Sequence, residues 1–510
     1  MAGPGLRATT GALSISRHGL ILGLLLVVAA GVRLYGIADP PLSFHATRQY
    51  RSLLIARGHY YAGLTGLPDW KRHVAEVNMD RQGVLEPPVG EYLTSIGYRV
   101  FGESYWLPRT LSVVFWLVGA ILLWRIGARL LDRRAGLLAA AVYLFLPFGV
   151  VASRSFQPDP LMLMLVLAGV LSMLRFRDDP SGRRLFGTAA LSAMAVFVKP
   201  AAIFLLLAVF VAQSIHRHGK ERFLVDRSLW AYVAVALLPV VGYYLVYGIV
   251  LSGDLETQTH LVLPAFVLDP SFWRGWLGNV RAVVGLPLLI GSLLGAVVFP
   301  RGMPRATIVG LWAGYASLCL VLSWGSANHD YYHLPLIPIA ALSLAPLLLA
   351  VLDRLREAVD GPVERYAIAA ILVVGSILSI LTVRPRLIEA GAAETVRTAE
   401  RIGSLVGHGT RNVVLASDYG LSLQYHGELS SQPWPLASDL EWERVVGEPA
   451  LEAETRFQEW FGGEDPEFFI VIDRSELVRQ DDLERFLSSS FPVLARTDDF
   501  LIFDLRRPLG

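Results

Sequence analysis

Apolar runs of about 18–22 residues recur along this chain, each long enough to cross a hydrocarbon layer of ~30 Å, and nothing constrains its folding more. In lipid a backbone must satisfy its own hydrogen bonds, so such runs fold as helices. Eleven candidate spans can be drawn, at 19–37, 107–129, 135–153, 159–175, 184–198, 200–215, 229–251, 281–299, 306–323, 335–352 and 366–383. A chain of 510 residues could hold two or three soluble domains. With 54% hydrophobic and 17% charged residues and a mean hydropathy of +0.48, a polytopic helical membrane protein is the better expectation. The first run, Leu20–Val32, follows Arg7, Arg17 and His18 as a signal peptide would; it lacks a small-residue cleavage site and reads as a retained anchor. A net charge of +1 offers no basic field for nucleic acid. The single cysteine, Cys319, permits no intramolecular disulfide and no cysteine metal site.

Basic residues orient the spans. Arg125/Arg129/Arg133/Arg134, Arg175/Arg177/Arg183/Arg184, Arg217/Lys220/Arg222/Arg227, Arg301/Arg305 and Arg354/Arg356/Arg365 fall in alternate loops, on the same side as Arg7 and Arg17. The alternation holds only if 184–198 and 200–215 are separate spans, meeting at Lys199-Pro200. Eleven spans then put the N-terminus in the cytoplasm and the C-terminus outside. The expected domains are 1–383, a transmembrane domain, and 384–510, a small soluble α/β domain outside the membrane. In the latter, strand-like runs (Asn412–Ala416, Phe468–Ile472, Phe500–Leu505) alternate with polar helical stretches (Ala392–Val406, Gln480–Ser488). The first outer loop, 38–106, is unusually long and carries two segments that suit interfacial helices, Thr47–Tyr61 and Pro88–Phe101. No internal repeat is visible, against an inverted-repeat transporter.

The polar chemistry gathers on the outer side. His45, Arg48 and Gln49 open the long loop; Arg48 offers a planar donor fork to phosphate, and equally suits snorkelling to headgroups. Glu86 stands before Pro87-Pro88, as a base, a metal ligand or a helix-dipole charge. Asp159 starts a span as an N-cap would, with Arg154 near enough in sequence to pair with it. An ionisable residue at membrane depth is nevertheless a functional candidate, and Lys199 raises the same question. His329, Asp330, Tyr331 and Tyr332 precede the tenth span; their spacing suits phosphate contact as well as metal binding, and is no specific metal signature. Cations at one face could neutralise a lipid-phosphate leaving group, and a carboxylate or histidine could deprotonate an acceptor hydroxyl.

Five segments, FHATRQYRSLLIAR, EPPVGEYLTSIGYRVFGES, SRSFQPDPLM, FVKPAAIF and HDYYHLPLIP, make residues 15–350 resemble the GT-C membrane glycosyltransferases. The likeness is to their family 39-like group, with its protein O-mannosyltransferases and lipid A aminoarabinose (ArnT-like) transferases. The tail resembles nothing comparable. The resemblance implies transfer of a sugar from a polyprenyl-phosphate donor, with inversion, to a glycan, lipid or protein acceptor at the outer face of a bacterial inner membrane. It implies no nucleotide-sugar site; a divalent cation is compatible but not required. Glu86 is the first choice for the base, then Asp159 at the Asp-Pro-Leu that opens a span, then His45. Arg48, Gln49, Arg154, Lys199, His329, Asp330, Tyr331 and Tyr332 would hold donor phosphate or substrate. The sequence departs from the family where an Asp-Glu pair usually precedes the Ile-Ala-Arg segment: Arg48-Gln49 stands there. The alternative is a transporter or flippase of lipid-linked sugars.

Overall fold

The computed structural model describes residues 17–83, 85–251, 263–358, 363–388, 391–446 and 449–509. Arg7, and residues 252–262 of the expected outer loop 252–280, lie outside these. Helix α1 (Arg17–Leu34) leads into the outer loop, which holds α2 (Ala46–Tyr61), α3 (Asp69–Asp80) and α4 (Val89–Phe101). Helices α2 and α4 coincide with the two expected interfacial segments; α3 was not foreseen. The membrane region continues with α5 (Trp106–Leu130), α6 (Arg133–Phe145), α7 (Pro147–Ala152), α8 (Asp159–Asp178), α9 (Gly182–Val198), α10 (Ala202–His218) and α11 (Arg227–Tyr243). Then follow α12 (Pro270–Val283), α13 (Leu286–Val298), α14 (Met303–Val321), α15 (Ser323–Asn328), α16 (Leu336–Ala358) and α17 (Val363–Leu387). Among the described residues six helices are long and apolar enough to cross a membrane, or seven if the α12–α13 pair, bent by 92°, counts as one. That bend departs from the single span expected at 281–299. The apolar register begins only at α13, and α12 is a separate amphipathic helix.

Local chemistry sets the helix ends. The carboxylate of Asp132 accepts the Ala135 N–H at the start of α6, and that of Asp226 accepts the Ser228 N–H at the start of α11. The expected span 135–153 is broken because Leu146, which precedes Pro147, turns extended. Arg33, fully buried in α1, closes the break: it donates to the Leu144 carbonyl (2.7 Å) and to Ser153 Oγ (2.6 Å). Helix α8 lies at the centre, with 78% of its apolar stretch buried. Helix α14 packs against α10 through glycines: a Cβ at Gly314 would meet the Phe204 carbonyl oxygen at 2.6 Å, and one at Gly310 would meet Val209 Cα at 2.6 Å.

The tail opens with α18 (Ala392–Leu405) and forms a five-stranded sheet in the order β2-β1-β3-β5-β4. Its strands are β1 (Asn412–Leu415), β2 (Ser431–Pro433), β3 (Phe468–Val471), β4 (Val493–Arg496) and β5 (Leu501–Asp504). Strand β1 runs parallel to β2 and β3; β5 runs antiparallel to β3 and β4. The runs NVVL, FFIV and LIFD are buried throughout because both sheet faces are covered. Helices α18 and α19 (Leu421–Gly427) pack on one face, α21 (Ala453–Phe461) and α23 (Asp481–Ser490) on the other, with Leu477 of α22 (Arg474–Val478) joining the second layer; α20 spans Ala437–Val446. The edge strands β2 and β4 were not foreseen.

The tail docks on the outer loop through polar contacts. Arg57 of α2 donates to the Tyr425 carbonyl (2.5 Å) and to Glu103 (2.8 Å), and Tyr425 donates to the same carboxylate at 2.6 Å. Tyr50 bonds His426 at 2.7 Å, Lys71 pairs with Glu428 at 2.7 Å, and Asn78 donates to the Leu429 carbonyl at 2.9 Å. Trp442 lies against Trp324, with centroids 3.9 Å apart and the rings tilted by 36°.

A candidate active site on the outer loop

Helix α2 starts at His45, a non-glycine residue in the left-handed region (φ 49°, ψ 59°) whose side chain makes no cap bond. Gln49, one turn on, holds this start in place. Its amide donates to the Phe44 carbonyl (2.7 Å) and accepts from the Phe156 N–H (3.0 Å), fastening α2 to the turn before α8. Gln49 is thus buried behind the site, as a clamp. Arg154 also lies apart: it donates to the Gly36 carbonyl at 2.7 Å, while Asp159 takes a different cation.

That cation is Lys199, whose ammonium donates to both Asp159 oxygens at 2.9 and 3.1 Å. The two side chains are 7% and 2% exposed, so each charge depends on the other. Asp159 sits in the first turn of α8 and Lys199 at the C-cap of α9, where the helix dipoles favour their charges. A second pair lies close by. Arg48 donates to Glu86 at 2.7 Å, with side chains 16% and 13% exposed. Burial alone would raise the Glu86 pKa, but Arg48, Lys199 and Arg51 together hold it below the ordinary carboxylate value. The Glu86 segment is fixed by Arg51, which donates to the Gln82 and Gly83 carbonyls, and by Tyr244, which donates to the Leu85 carbonyl.

The third pair is His45 with Asp330, Nε2 to Oδ1 at 2.6 Å; these side chains are 27% and 29% exposed. Tyr331 joins all three. Its ring centroid lies 5.0 Å from the His45 ring, 5.7 Å from the Arg48 guanidinium and 5.1 Å from the Lys199 ammonium. The His329 ring stacks on it at 5.2 Å, and Tyr332 lies 5.3 Å from the same ammonium. Burial, with His45 and Arg48 nearby, pushes the His329 pKa below its usual value. Nine of the eleven residues singled out from sequence therefore meet around Tyr331, from five separate segments. Sequence reading passed over Arg51, Tyr244 and the buried Glu91, which accepts from Ser52 at 2.7 Å and whose pKa is raised by burial. Arg51 had a legible signal, since it follows Arg48 at helical i,i+3 spacing.

Among the described residues no three His, Cys, Asp or Glu side chains converge as a metal-holding set. A polar recess of about 380 Å³ in the tail, between Glu443, Arg444, Arg456 and Asp482, shares no residue with the cluster.

Residues 85–245 match the family model of dolichyl-phosphate-mannose-protein mannosyltransferases. No curated protein sequence matches the chain. Among solved structures, ArnT from Cupriavidus metallidurans bound to undecaprenyl phosphate aligns with a TM-score of 0.58 at 15% identity, over 96% of this chain and 98% of that one. AglB, the oligosaccharyltransferase of Archaeoglobus fulgidus, in complex with an inhibitory peptide and a dolichol-phosphate, aligns at 0.56 and 12% identity, over 93% and 72%. The mycobacterial arabinofuranosyltransferase AftD aligns at 0.52 and 16% identity, over 97% of this chain and 40% of that one. The fold is that of the GT-C membrane glycosyltransferases, as the sequence motifs implied.

Proposed function

Starting from a GT-C membrane glycosyltransferase fold, we propose that this chain moves a sugar from a polyprenyl-phosphate donor to an acceptor hydroxyl at the outer face of a bacterial inner membrane. Eleven crossings, an N-terminus in the cytoplasm and an outer soluble tail, 384–510, complete the reading. One observation carries it: a half-buried ion pair, Arg48–Glu86, and a buried one, Lys199–Asp159, converge with His45–Asp330 on one tyrosine ring. Cations held by fixed carboxylates are in place before the donor arrives. Stabilising a leaving phosphate therefore costs little reorganisation. Arg48 and Lys199 contact the phosphate, and Tyr331, Tyr332 and His329 line its place. The acceptor oxygen attacks the anomeric carbon as the carbon–phosphate-oxygen bond breaks, in a single inverting displacement. ArnT bound to undecaprenyl phosphate and AglB bound to dolichol-phosphate support a lipid phosphate as the donor's carrier.

Reconstituted protein is tested with undecaprenyl-phosphate-linked sugars and a cell-envelope fraction as acceptor, following released undecaprenyl phosphate and glycosylated product. Lys199→Met alone would leave Asp159 buried and unpaired, a loss of about 3–5 kcal/mol. The informative variant is therefore Lys199→Met combined with Asp159→Leu, which keeps the packing. It is expected to fold and to lose transfer by about 10²-fold or more. A wild type that carries the donor across liposomes and never cleaves it would make the protein a transporter and sink the proposal.

A further inference from the structure

We infer that the proton of the acceptor hydroxyl is taken by His45, oriented by Asp330, and that Glu86 and Asp159 serve as counter-ions to the phosphate-binding cations; this rests on the transfer reaction proposed above. Both acids already hold a cation. Glu86 is bonded to Arg48 at 2.7 Å, and both oxygens of Asp159 receive the Lys199 ammonium. A carboxylate in such a pair gains from staying ionised, and taking a proton would release the partner cation into a buried site. Arg48 has no acceptor atom and Gln49 is spent on Phe44 and Phe156.

His45 is differently placed. Its side chain is more exposed than those of either other pair. An ionised Asp330 can only accept, so Nε2 carries the proton and Nδ1 presents its lone pair. The ring is held edge-on by Phe44, at 4.6 Å between centroids, and by Tyr331 at 5.0 Å. Its backbone occupies the left-handed region, a cost that non-glycine residues bear where the surroundings impose it, often at functional sites. Tyr331 sets it about as far from the ring as the two cations. A hydroxyl at Nδ1 can therefore face a sugar whose phosphate lies on Arg48 and Lys199. In the step, the acceptor O–H bond breaks, its proton goes to Nδ1 and its electron pair forms the new C–O bond. The anomeric C–O bond to phosphate breaks with its pair to that oxygen. Polyprenyl phosphate leaves, and the imidazolium returns its proton to solvent.

The test uses His45→Gly, because glycine adopts φ 49° freely. Undecaprenyl phosphate binding should stay within about threefold of wild type while kcat falls by about 10²–10⁴-fold, and added imidazole should restore part of it. Asp330→Ala should lower kcat while undecaprenyl phosphate binding is kept, since it removes the acceptor that orients the ring. Transfer by His45→Gly within threefold of wild type, with Glu86→Gln inactive yet binding donor, overturns this assignment and leaves the transferase standing. A wild type that transfers from no polyprenyl-phosphate sugar overturns both.

Discussion

Two titrating side chains at the site have opposite ordinary charges, yet both should make the fold acid-sensitive. Glu86 has a folded pKa below its ordinary 4.5. Its contribution is complete above that value and is lost as pH falls through the folded value. His329 has a folded pKa below its ordinary 6.5. The unfolded chain takes up that proton first, so its contribution is complete above 6.5 and shrinks as pH drops below it. The two windows separate in melting curves of detergent-solubilised protein. The gap in melting temperature between wild type and Glu86→Gln should be constant from pH 8 to about 5 and close below 4.5. The gap for His329→Gln should change already between pH 7 and 5. A Glu86→Gln gap that closes above pH 6 would mean that Arg48 does not hold the carboxylate as described. Chain neighbours misled only where a closer partner existed in space: Arg154 is five residues from Asp159, but Lys199 has the better reach and Arg154 goes to a carbonyl.

At the scale of elements, α2 is shared by the site and the tail. Its first turn carries His45 and Arg48; its later turns carry Tyr50 and Arg57, which meet α19. The Arg57 guanidinium lies 3.6 Å from the Tyr425 ring centroid, and Glu103 receives Arg57, Tyr61 and Tyr425. Burial pushes His426 down to about 3, so it meets Tyr50 as a neutral ring. Arg57→Ala removes the cation paired with the half-buried Glu103 and should cost up to about 3–5 kcal/mol of docking stability. Hydrogen exchange should then rise in α2 and α19 together, while strands β1 and β3 stay protected. Faster exchange in α19 alone would mean that α2 is held by the membrane region without the tail. The helical pattern of α2 was legible from its sequence. Its partners in the tail were not, because they lie more than 300 positions away.

For the whole molecule, crossing number and sidedness are linked. Two of the expected spans, α9 and α10, are 17 residues each, and α12–α13 bends by 92°. Length and composition alone give six or seven crossings among the described residues, while the alternation of basic loops predicts eleven. The expected result follows from single cysteines in a Cys319→Ser background. Ser181 and Lys220 replaced by cysteine should label only after the inner leaflet is opened, and Gly66 and Ser489 should label in intact cells. Ser489 labelling on the same side as Lys220 would require an even number of crossings and put the tail in the cytoplasm.

Composition, apolar run length and the spacing of arginines determined on their own that this is a helical membrane protein with its reactive residue types gathered between spans. These properties are local and periodic, and a bilayer selects for them directly. The strand-like runs of β1, β3 and β5 were readable for the same reason, whereas β2 is three residues ending in proline and β4 is largely exposed, so neither leaves an apolar pattern. Only the tertiary structure decided which acid faces which base. The pairs Arg48–Glu86, Lys199–Asp159 and His45–Asp330 join residues 38, 40 and 285 positions apart. Pairing of buried charges is set by distance and desolvation in the folded state, which no run of neighbouring residues encodes.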